Sequence, residues 1–215
     1  MSCSAEEHGD GRQRRGVGVM AVRGRPREFD VDRALERAVD VFWRQGYEGT
    51  TLDDLTTAMS ISRPSLYAAF GNKEHTFRLA VGRYAQVEMA YVDEALAKPS
   101  AREVAAHYLR KNVEAITLPG RPPGCLSIQG GLSGHPQDQR IVDFLASSRR
   151  AGEQRFVERF QEAIDAGDLS AAEDPTELAR YLASVTAGLA VQAAGGAGRA
   201  ELMKVAERAL SAFPG

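Results

Sequence analysis

A run of hydroxyl-bearing and basic side chains between residues 51 and 73 has the chemistry of nucleic-acid contact. Arg63 carries a guanidinium group whose parallel N–H donors match the O6 and N7 acceptors of guanine. Around it lie hydroxyl and ammonium groups, which donate hydrogen bonds to phosphate oxygens. The residues of this run that we predict to contact DNA are Thr51, Ser62, Arg63, Pro64, Ser65, Tyr67 and Lys73.

Two short helices and the turn between them must position these side chains. The first helix is predicted to begin at Thr50 or Thr51, because each is followed three residues later by an aspartate that can complete a capping box. The turn is residues 60–62, and the second helix runs roughly from Ser62 to Phe70. This pattern indicates a helix-turn-helix, whose second helix enters the DNA major groove and presents its N-terminal residues to base edges. The alternative is an ordinary helical corner packed in a core.

The helices on either side complete the unit. Asp30 is placed to cap a preceding helix, which Gly46 is predicted to end. Asn72 caps the following helix, which is predicted to run to about Ala97. Lys73 lies at the N-terminus of that helix, where the helix dipole adds to the attraction for phosphate.

The sequence of this motif is similar to that of a known protein family. GYEGTTLDDL at residues 46–55 and ISRPSLYAAFGNKE at residues 61–74 resemble the TetR/AcrR family of transcriptional regulators, over about residues 29–78. Ser60 departs from that family, which usually has glycine in the turn, so we predict that the turn is kept with mild strain; residues 75–76 are also less apolar than usual. The resemblance implies operator contacts by Thr51, Ser62, Arg63, Ser65, Tyr67 and Lys73, with Tyr67 and Lys73 on phosphates.

Helical periodicity continues to the end of the chain, without a strand pattern or an internal repeat. The further helices are predicted at about 101–116, 125–132, 137–166, 175–194 and 199–213. We therefore predict an all-α fold with an N-terminal three-helix helix-turn-helix DNA-binding domain at 29–78. A C-terminal helical bundle at 79–215 is assigned to ligand binding and dimerisation, behind a flexible basic arm at 1–28.

The basic charge of the chain is concentrated in that arm. Six arginines and no acidic residue lie between Arg12 and Arg27, whereas residues 28–85 hold seven Lys and Arg against nine Asp and Glu, and the net charge is −2. Overall charge therefore gives no argument for DNA binding, and the placement of side chains must carry it. We predict DNA contact by Arg23, Arg25 and Arg27; the alternative is a solvated tail.

The resemblance implies a small-molecule pocket enclosed by the fourth to seventh helices. Asn112 and Gln129 are polar on otherwise apolar helix faces and could bond a ligand, while the aromatic residues could equally be core. Cys125, without a partner at a useful spacing, could instead be a small buried hydrophobe. The ligand-lining candidates are Tyr84, Tyr91, Tyr108, Asn112, Cys125, Gln129 and Phe144.

The resemblance also implies a homodimer through the last two helices, whose small residues suit close helix approach. The residues predicted at that interface are Leu178, Leu182, Val185, Leu189, Leu202, Val205 and Leu210. Such a dimer would place two recognition helices about one DNA turn apart, roughly 34–36 Å, on a palindromic site.

The sequence predicts no cofactor and no metal site. His107 and His135 lack partners at ligand spacing, and Cys3 and Cys125 are not spaced for zinc or a disulfide framework. A helical enzyme is the second class considered, but no paired carboxylates or nucleophile and base are placed for catalysis. A third possibility is a DNA-binding protein that has lost its ligand.

The sequence as a whole therefore predicts a cytoplasmic, ligand-responsive transcriptional regulator rather than an enzyme or a membrane protein. Its partners would be double-stranded operator DNA, a second copy of the chain and an unidentified small-molecule effector. We predict a repressor that binds a palindromic operator as a dimer and is released by the small molecule.

Overall fold

The computed structural model describes residues 29–130 and 139–215, which form helices and no strand. This confirms the predicted all-α class. The helices are α1 (Val31–Gly49), α2 (Leu52–Met59), α3 (Arg63–Phe70), α4 (Lys73–Val87), α5 (Tyr91–Leu96), α6 (Ala101–Ile116), α7 (Leu126–Gln129), α8 (Gln139–Asp165), α9 (Pro175–Ala194) and α10 (Arg199–Ser211).

Local capping sets the ends of the first helices. The carboxylate of Asp30 accepts hydrogen bonds from the backbone N–H groups of the first turn of α1. The helical backbone of α1 breaks at Gly46, which has φ 70° and ψ 177°, as its position predicts. Asn72 caps α4 by accepting a bond of 2.8 Å from the backbone N–H of His75. These helix ends need only residues within a few positions of one another, which explains why the sequence predicts them.

Aromatic side chains join α1 to α4. Phe42 and Phe77 are fully buried, and their rings meet edge to face with centroids 5.0 Å apart. Trp43 meets Tyr84 in the same way at 4.8 Å. Such pairs contribute about 0.5–1.5 kcal/mol each beyond the burial of their area. The α1–α4 contact therefore holds the first three helices against the rest of the chain.

The fourth predicted helix is interrupted, which corrects the single helix expected up to Ala97. Helix α4 ends at Val87, and hydrogen bonds that span three residues, from the N–H of Val92 to the carbonyl of Met89 for example, tighten the chain before α5. Glu88, at this break, forms an ion pair of 2.7 Å with Arg121. Because the apolar spacing continues through the break, periodicity does not reveal it.

Arg121 connects three parts of the molecule. It lies between α6 and α7, and its guanidinium also donates to Asp40 of α1 at 3.1 Å. One side chain thus ties the α6–α7 connection to α1 and to the end of α4. Neither partner is close to Arg121 in sequence, so this link could not be predicted.

The second half of the chain packs α5, α6, α8, α9 and α10 around a shared apolar core. On α8, Ile141, Leu145, Phe156 and Phe160 are buried. Helix α7 is a single turn, shorter than the predicted 125–132, of which residues 131–132 lie outside the described ranges. No described helix has the length and apolar character needed to cross a membrane.

The turn between α2 and α3 depends on Ser60. This residue adopts the left-handed conformation, with φ 57° and ψ 44°, and is the one non-glycine residue with positive φ in the described ranges. Arg37 of α1 donates through Nη1 to Ser60 Oγ at 2.7 Å and to the carbonyl of Ala58 at 3.2 Å. The side chain of Ser60 therefore gains a partner where its backbone is strained.

Replacing Ser60 separates these two effects. Ser60→Ala keeps the left-handed backbone and loses the Arg37 bond, so it should lower the free energy of unfolding by about 1 kcal/mol. Ser60→Gly loses the same bond but removes a conformational cost of about 1 kcal/mol, so it should stay close to the parent. Urea unfolding followed by circular dichroism measures both, and equal destabilisation by the two variants would contradict this account.

Candidate nucleic-acid interface and interior polar cluster

The described residues that we predict to contact DNA lie on α3 and at the N-termini of α2 and α4, which we call the exposed corner of the first domain. Ser62, Arg63, Pro64 and Tyr67 are exposed along the first two turns of α3. Tyr67 is 52% exposed, which is unusual for so large a ring without a partner surface. Thr51 is exposed at the start of α2, while Ser65 and Lys73 are half-buried. Beneath this corner Leu55, Leu66 and Phe70 are buried and hold α2 and α3 together.

Ser62 organises the N-terminus of α3. Its hydroxyl accepts a hydrogen bond of 3.2 Å from the backbone N–H of Ser65, and the two hydroxyls lie 2.9 Å apart. Pro64 occupies the first turn, where it removes no helical hydrogen bond. The helix therefore begins on the surface with hydroxyl groups beside its positive dipole end, an arrangement suited to anions.

Thr51 is committed to a capping box. Its hydroxyl donates to Asp54 Oδ2 at 2.7 Å and accepts from the Asp54 N–H at 3.1 Å. The hydrogen bond from Thr51 lowers the pKa of the Asp54 carboxyl below its usual value. The predicted capping box is confirmed, and the hydroxyl proton of Thr51 already has an acceptor before any phosphate is present.

Arg63 is paired with Asp53 of α2, a contact that sequence reasoning missed. Arg63 Nη2 and Nε donate to the same carboxylate oxygen, Oδ1, at 2.8 and 3.1 Å. This hydrogen bond raises the pKa of Arg63 above its usual value. Both side chains remain largely exposed, at 57% and 74%. The only sign of this pair in the sequence is an acidic residue in the first turn of α2. Capping preferences explain an acidic residue at that position equally well.

Lys73 is held at the N-terminus of α4 by an aromatic ring. Its Nζ lies 4.4 Å from the centroid of the Tyr47 ring. Tyr47 packs in turn on Phe77, with centroids 5.1 Å apart, so the ammonium group is placed by the α1–α4 contact. Arg23, Arg25 and Arg27 lie outside the described residues.

A second group of polar residues lies inside the molecule. The hydroxyl of Tyr84 donates to Cys125 Sγ at 3.3 Å, and this thiol lies 3.0 Å from Ser127 Oγ. Cys125 interacts electrostatically with Tyr91 and Tyr108 as well. Cys125 is thus a buried, free cysteine in contact with the hydroxyls of Tyr84 and Ser127.

Asn112 lies beside this group with only part of its hydrogen-bonding capacity used. Its Nδ2 donates to the hydroxyl of Tyr91 at 3.0 Å, while its buried Oδ1 has no partner. Tyr108 stacks near Tyr91 and shares a hydrogen bond of 3.4 Å with Thr186, a buried residue that the sequence analysis did not select. Thr186 could have been found as a polar residue on the apolar face of α9.

The two remaining residues that we predict to line the ligand site, Gln129 and Phe144, make different contacts. The amide of Gln129 folds back over Gly124, where an added Cβ would lie 2.7 Å from Oε1, and that oxygen is buried without a partner. Phe144 instead lies under the guanidinium of Arg78, whose Cζ is 4.4 Å from the ring centroid. The structure therefore brings together the tyrosines, Asn112 and Cys125 and places Phe144 in another contact.

The residues predicted at the dimer interface are mostly buried within the protomer. Leu178, Leu182, Leu189, Leu202 and Leu210 are each at most 8% exposed, so their side chains face the protomer's own core and are not available to a second copy. Val185 is partly buried, and Val205 is 50% exposed. The resemblance and the small residues of these helices predicted an interface here, and among the predicted residues Val185 and Val205 keep exposed surface. The large apolar side chains that are exposed on α9 and α10 are Val191 and Val205.

Comparisons with known proteins agree with this arrangement. Residues 34–78 match the family model of bacterial regulatory proteins of the tetR family. The chain is 34% identical over 199 residues to the HTH-type transcriptional repressor ComR of Escherichia coli K12, covering 91% of this chain and 94% of ComR. It is 35% identical over 161 residues to the HTH-type regulator YezE of Bacillus subtilis 168, covering 74% and 83% of the two chains.

A solved structure shows the same fold on DNA. A cysteine mutant of the TetR family transcriptional regulator CifR, complexed with 26-base-pair double-strand operator DNA, has a TM-score of 0.85 to this chain. The two sequences are 46% identical, and the match covers 88% of this chain and all of that one.

The interior tyrosines give a prediction about alkaline pH. Burial raises the pKa of Tyr84 and Tyr91 well above the usual value and also raises that of Tyr108. The unfolded chain ionises these groups near pH 10, whereas the folded chain keeps them protonated, so stability is unaffected below that pH and falls as pH rises above about 10.

Parallel titrations of tyrosinate absorbance and helical circular dichroism test this. The tyrosinate absorbance of each residue is identified as the part of the parent signal that is missing in Tyr84→Phe, Tyr91→Phe or Tyr108→Phe. In the parent, this part should appear only at the pH at which the helical signal is lost. Ionisation of any of the three in the folded protein below about pH 10 would contradict the prediction.

Proposed function

The chain belongs to the tetR family of bacterial regulatory proteins, and from that premise we propose a repressor that binds a palindromic operator as a dimer and is released by a small molecule. It is a helix-turn-helix transcriptional regulator and not an enzyme. The observation that carries the proposal is the exposed first turn of α3, with Arg63 and Tyr67 on the surface of a corner closed by buried leucines. Its site of action would be the cytoplasm, with the DNA.

DNA recognition is assigned to the domain at 29–78. Arg63, the first residue of α3, would read a guanine in the major groove. Tyr67 and Lys73 would bind phosphates, because both place a donor at the exposed corner and neither offers a base-reading fork. Ser62, Pro64 and Ser65 would lie close to base edges, Thr51 close to the backbone, and the arginines at 23, 25 and 27 would make a second contact from the arm.

Variants of these residues should fall into two groups. Tyr67→Phe and Lys73→Gln should weaken binding to all sequences, and Lys73→Gln, which removes a positive charge, should also reduce the slope of log affinity against log salt by up to about 1. Arg63→Ala should instead weaken operator binding by about tenfold and relax base preference at one position. Fluorescence anisotropy on a selected operator and a scrambled duplex measures both, with exposed Arg150→Ala on α8 as the control.

The same titration tests the dimer. At saturation two protomers should bind each palindromic duplex, and a single protomer per duplex would contradict the dimer. Parent-like binding by all three variants would show that the groove assignment is wrong.

Dimerisation is assigned to the outer faces of α9 and α10. Val191 and Val205 expose apolar side chains there, at 48% and 50%, and Gly188 leaves open space beside α9 where another helix could approach. A two-fold symmetric contact through this face would repeat the same patch on both copies. The buried leucines of α9 and α10 would support this face from inside.

Effector binding is assigned to the interior polar cluster, defined as Tyr84, Tyr91, Tyr108, Asn112 and Cys125. Buried polar atoms almost always have partners, so the unsatisfied oxygen of Asn112 favours a ligand, or water that a ligand replaces. Within residues 29–130 and 139–215, no charged side chain forms a hydrogen bond with these five residues, which favours a neutral, largely apolar or aromatic compound.

The cluster is connected to the DNA-binding domain by two contacts. Tyr84 packs its ring on Trp43 of α1, and Arg121 joins the α6–α7 connection to Asp40 of α1. A ligand that moved Tyr84 or the N-terminus of α7 would therefore shift α1 and with it the recognition corner. Only a ligand that binds the two arrangements with different affinity changes operator binding.

Asn112→Leu tests the effector site. The variant fills similar space without the amide, so it should bind the operator as the parent does but lose the response to compounds selected by thermal shift. Those compounds should lower operator affinity of the parent by about 5–150-fold. Gln154→Leu, an exposed amide on α8, is the control. A full response in Asn112→Leu would show that the effector binds elsewhere. If no uncharged compound changed operator binding by the parent, a regulator without a ligand would be favoured.

A further inference from the structure

We propose that Asp53 determines the sequence specificity of the recognition helix by orienting the Arg63 guanidinium and penalising its contact with non-operator DNA. The inference rests on the proposed function, because it requires α3 to enter the major groove. It assigns a role to an acidic residue on a surface whose other polar groups suit a polyanion.

The geometry leaves one edge of the guanidinium available. Asp53 Oδ1 accepts from Nε and Nη2 of Arg63, at 3.1 and 2.8 Å. A guanidinium has five N–H donors, so the edge formed by Nη1 and the second N–H of Nη2 keeps two parallel donors. The O6 and N7 atoms of guanine accept hydrogen bonds from two such parallel donors. Asp53 thus holds Arg63 in an orientation that offers its other edge to a base.

The ion pair is not needed to assemble the corner. The Arg63 and Asp53 side chains are 57% and 74% exposed, whereas α2 and α3 are packed through the fully buried Leu55 and Leu66. The capping of α2 uses the neighbouring Asp54, which bonds Thr51, and leaves Asp53 outside the capping box. Exposed ion pairs contribute little to stability, so removing this pair should leave the fold intact.

Charge explains the discrimination. A carboxylate close to the DNA backbone weakens binding to every sequence, because it opposes the phosphate attraction that dominates non-specific affinity. This repulsion acts on all sequences alike, so it does not by itself separate operator from non-operator DNA. The separation comes from the ion pair: at an operator, a guanine engages the edge of Arg63 that Asp53 leaves free, whereas on other sequences Asp53 competes with the phosphates for the guanidinium. Asp53 therefore widens the difference between operator and non-operator binding.

The test compares the full-length parent, Asp53→Asn, Arg63→Ala and the double variant on a selected operator and on a scrambled duplex of equal length. Asp53→Asn should strengthen scrambled-duplex binding and lower the operator-to-scrambled affinity ratio by roughly fivefold or more, the lower end of what one bidentate arginine contact discriminates. In the Arg63→Ala background the same substitution should leave the ratio unchanged, because Asp53 acts through Arg63. Asp32→Asn, which removes a carboxylate from the first turn of α1, is the charge-matched control.

A second readout reports on orientation. Operators in which each guanine in turn is replaced by 7-deazaguanine, which lacks the N7 acceptor, should identify one position where the parent loses affinity and Asp53→Asn loses less. Thermal unfolding of Asp53→Asn should match the parent, which separates this role from a structural one.

The outcomes are distinguishable. An unchanged ratio in Asp53→Asn, or an equal loss in the Arg63→Ala background or in Asp32→Asn, would overturn the role of Asp53 while leaving operator binding intact. A parent protein with equal affinity for operator and scrambled duplexes would contradict the proposed function, and the inference with it.

Discussion

The packing of aromatic rings between α1 and α4 sets the position of both candidate sites, the exposed corner and the interior polar cluster. Phe42 meets Phe77 edge to face at 5.0 Å, and Trp43 meets Tyr84 at 4.8 Å. Helix α4 begins with Lys73 at the exposed corner and carries Tyr84 into the interior cluster. Since one helix serves both regions, neither can be rearranged without a change in the α1–α4 contact. Dense packing makes such a contact switch between discrete arrangements rather than deform gradually.

The sequence predicted those features that depend on neighbouring residues. The predicted caps of Asp30, Thr51 and Asn72 are all present, as is a cap by Ser62, where the second helix was predicted to begin, and each uses donors and acceptors no more than three positions apart. The order of the helices follows from local patterns as well, whereas the strained turn at Ser60 was expected from the resemblance, because serine stands where the family usually has glycine. A helix-turn-helix is therefore accessible from sequence, because short-range hydrogen bonds and one apolar face define it.

The sequence could not predict the contacts between residues that are distant in the chain. Arg121 bonds Glu88 and Asp40, which lie 33 and 81 positions earlier in the chain. Helical periodicity shows that one face is apolar but does not show what covers it. Leu182 and Leu202, which the resemblance placed at an interface between copies, face the core of their own protomer. Phe144 lies under the guanidinium of Arg78, a contact between α4 and α8 that no short-range pattern shows.

The bond between Arg37 and Ser60 has a consequence for how such sequences can vary. A glycine at position 60 would meet no conformational cost in the left-handed turn and could offer Arg37 no hydroxyl, leaving only the carbonyl of Ala58 as its acceptor there. The two positions are therefore expected to covary among homologues: those with glycine in the turn should tolerate more residue types at position 37, and those with serine should keep a long donor. The residue type in the turn would thus restrict the residue types at position 37 of the first helix, although the two positions are twenty-three residues apart in the sequence.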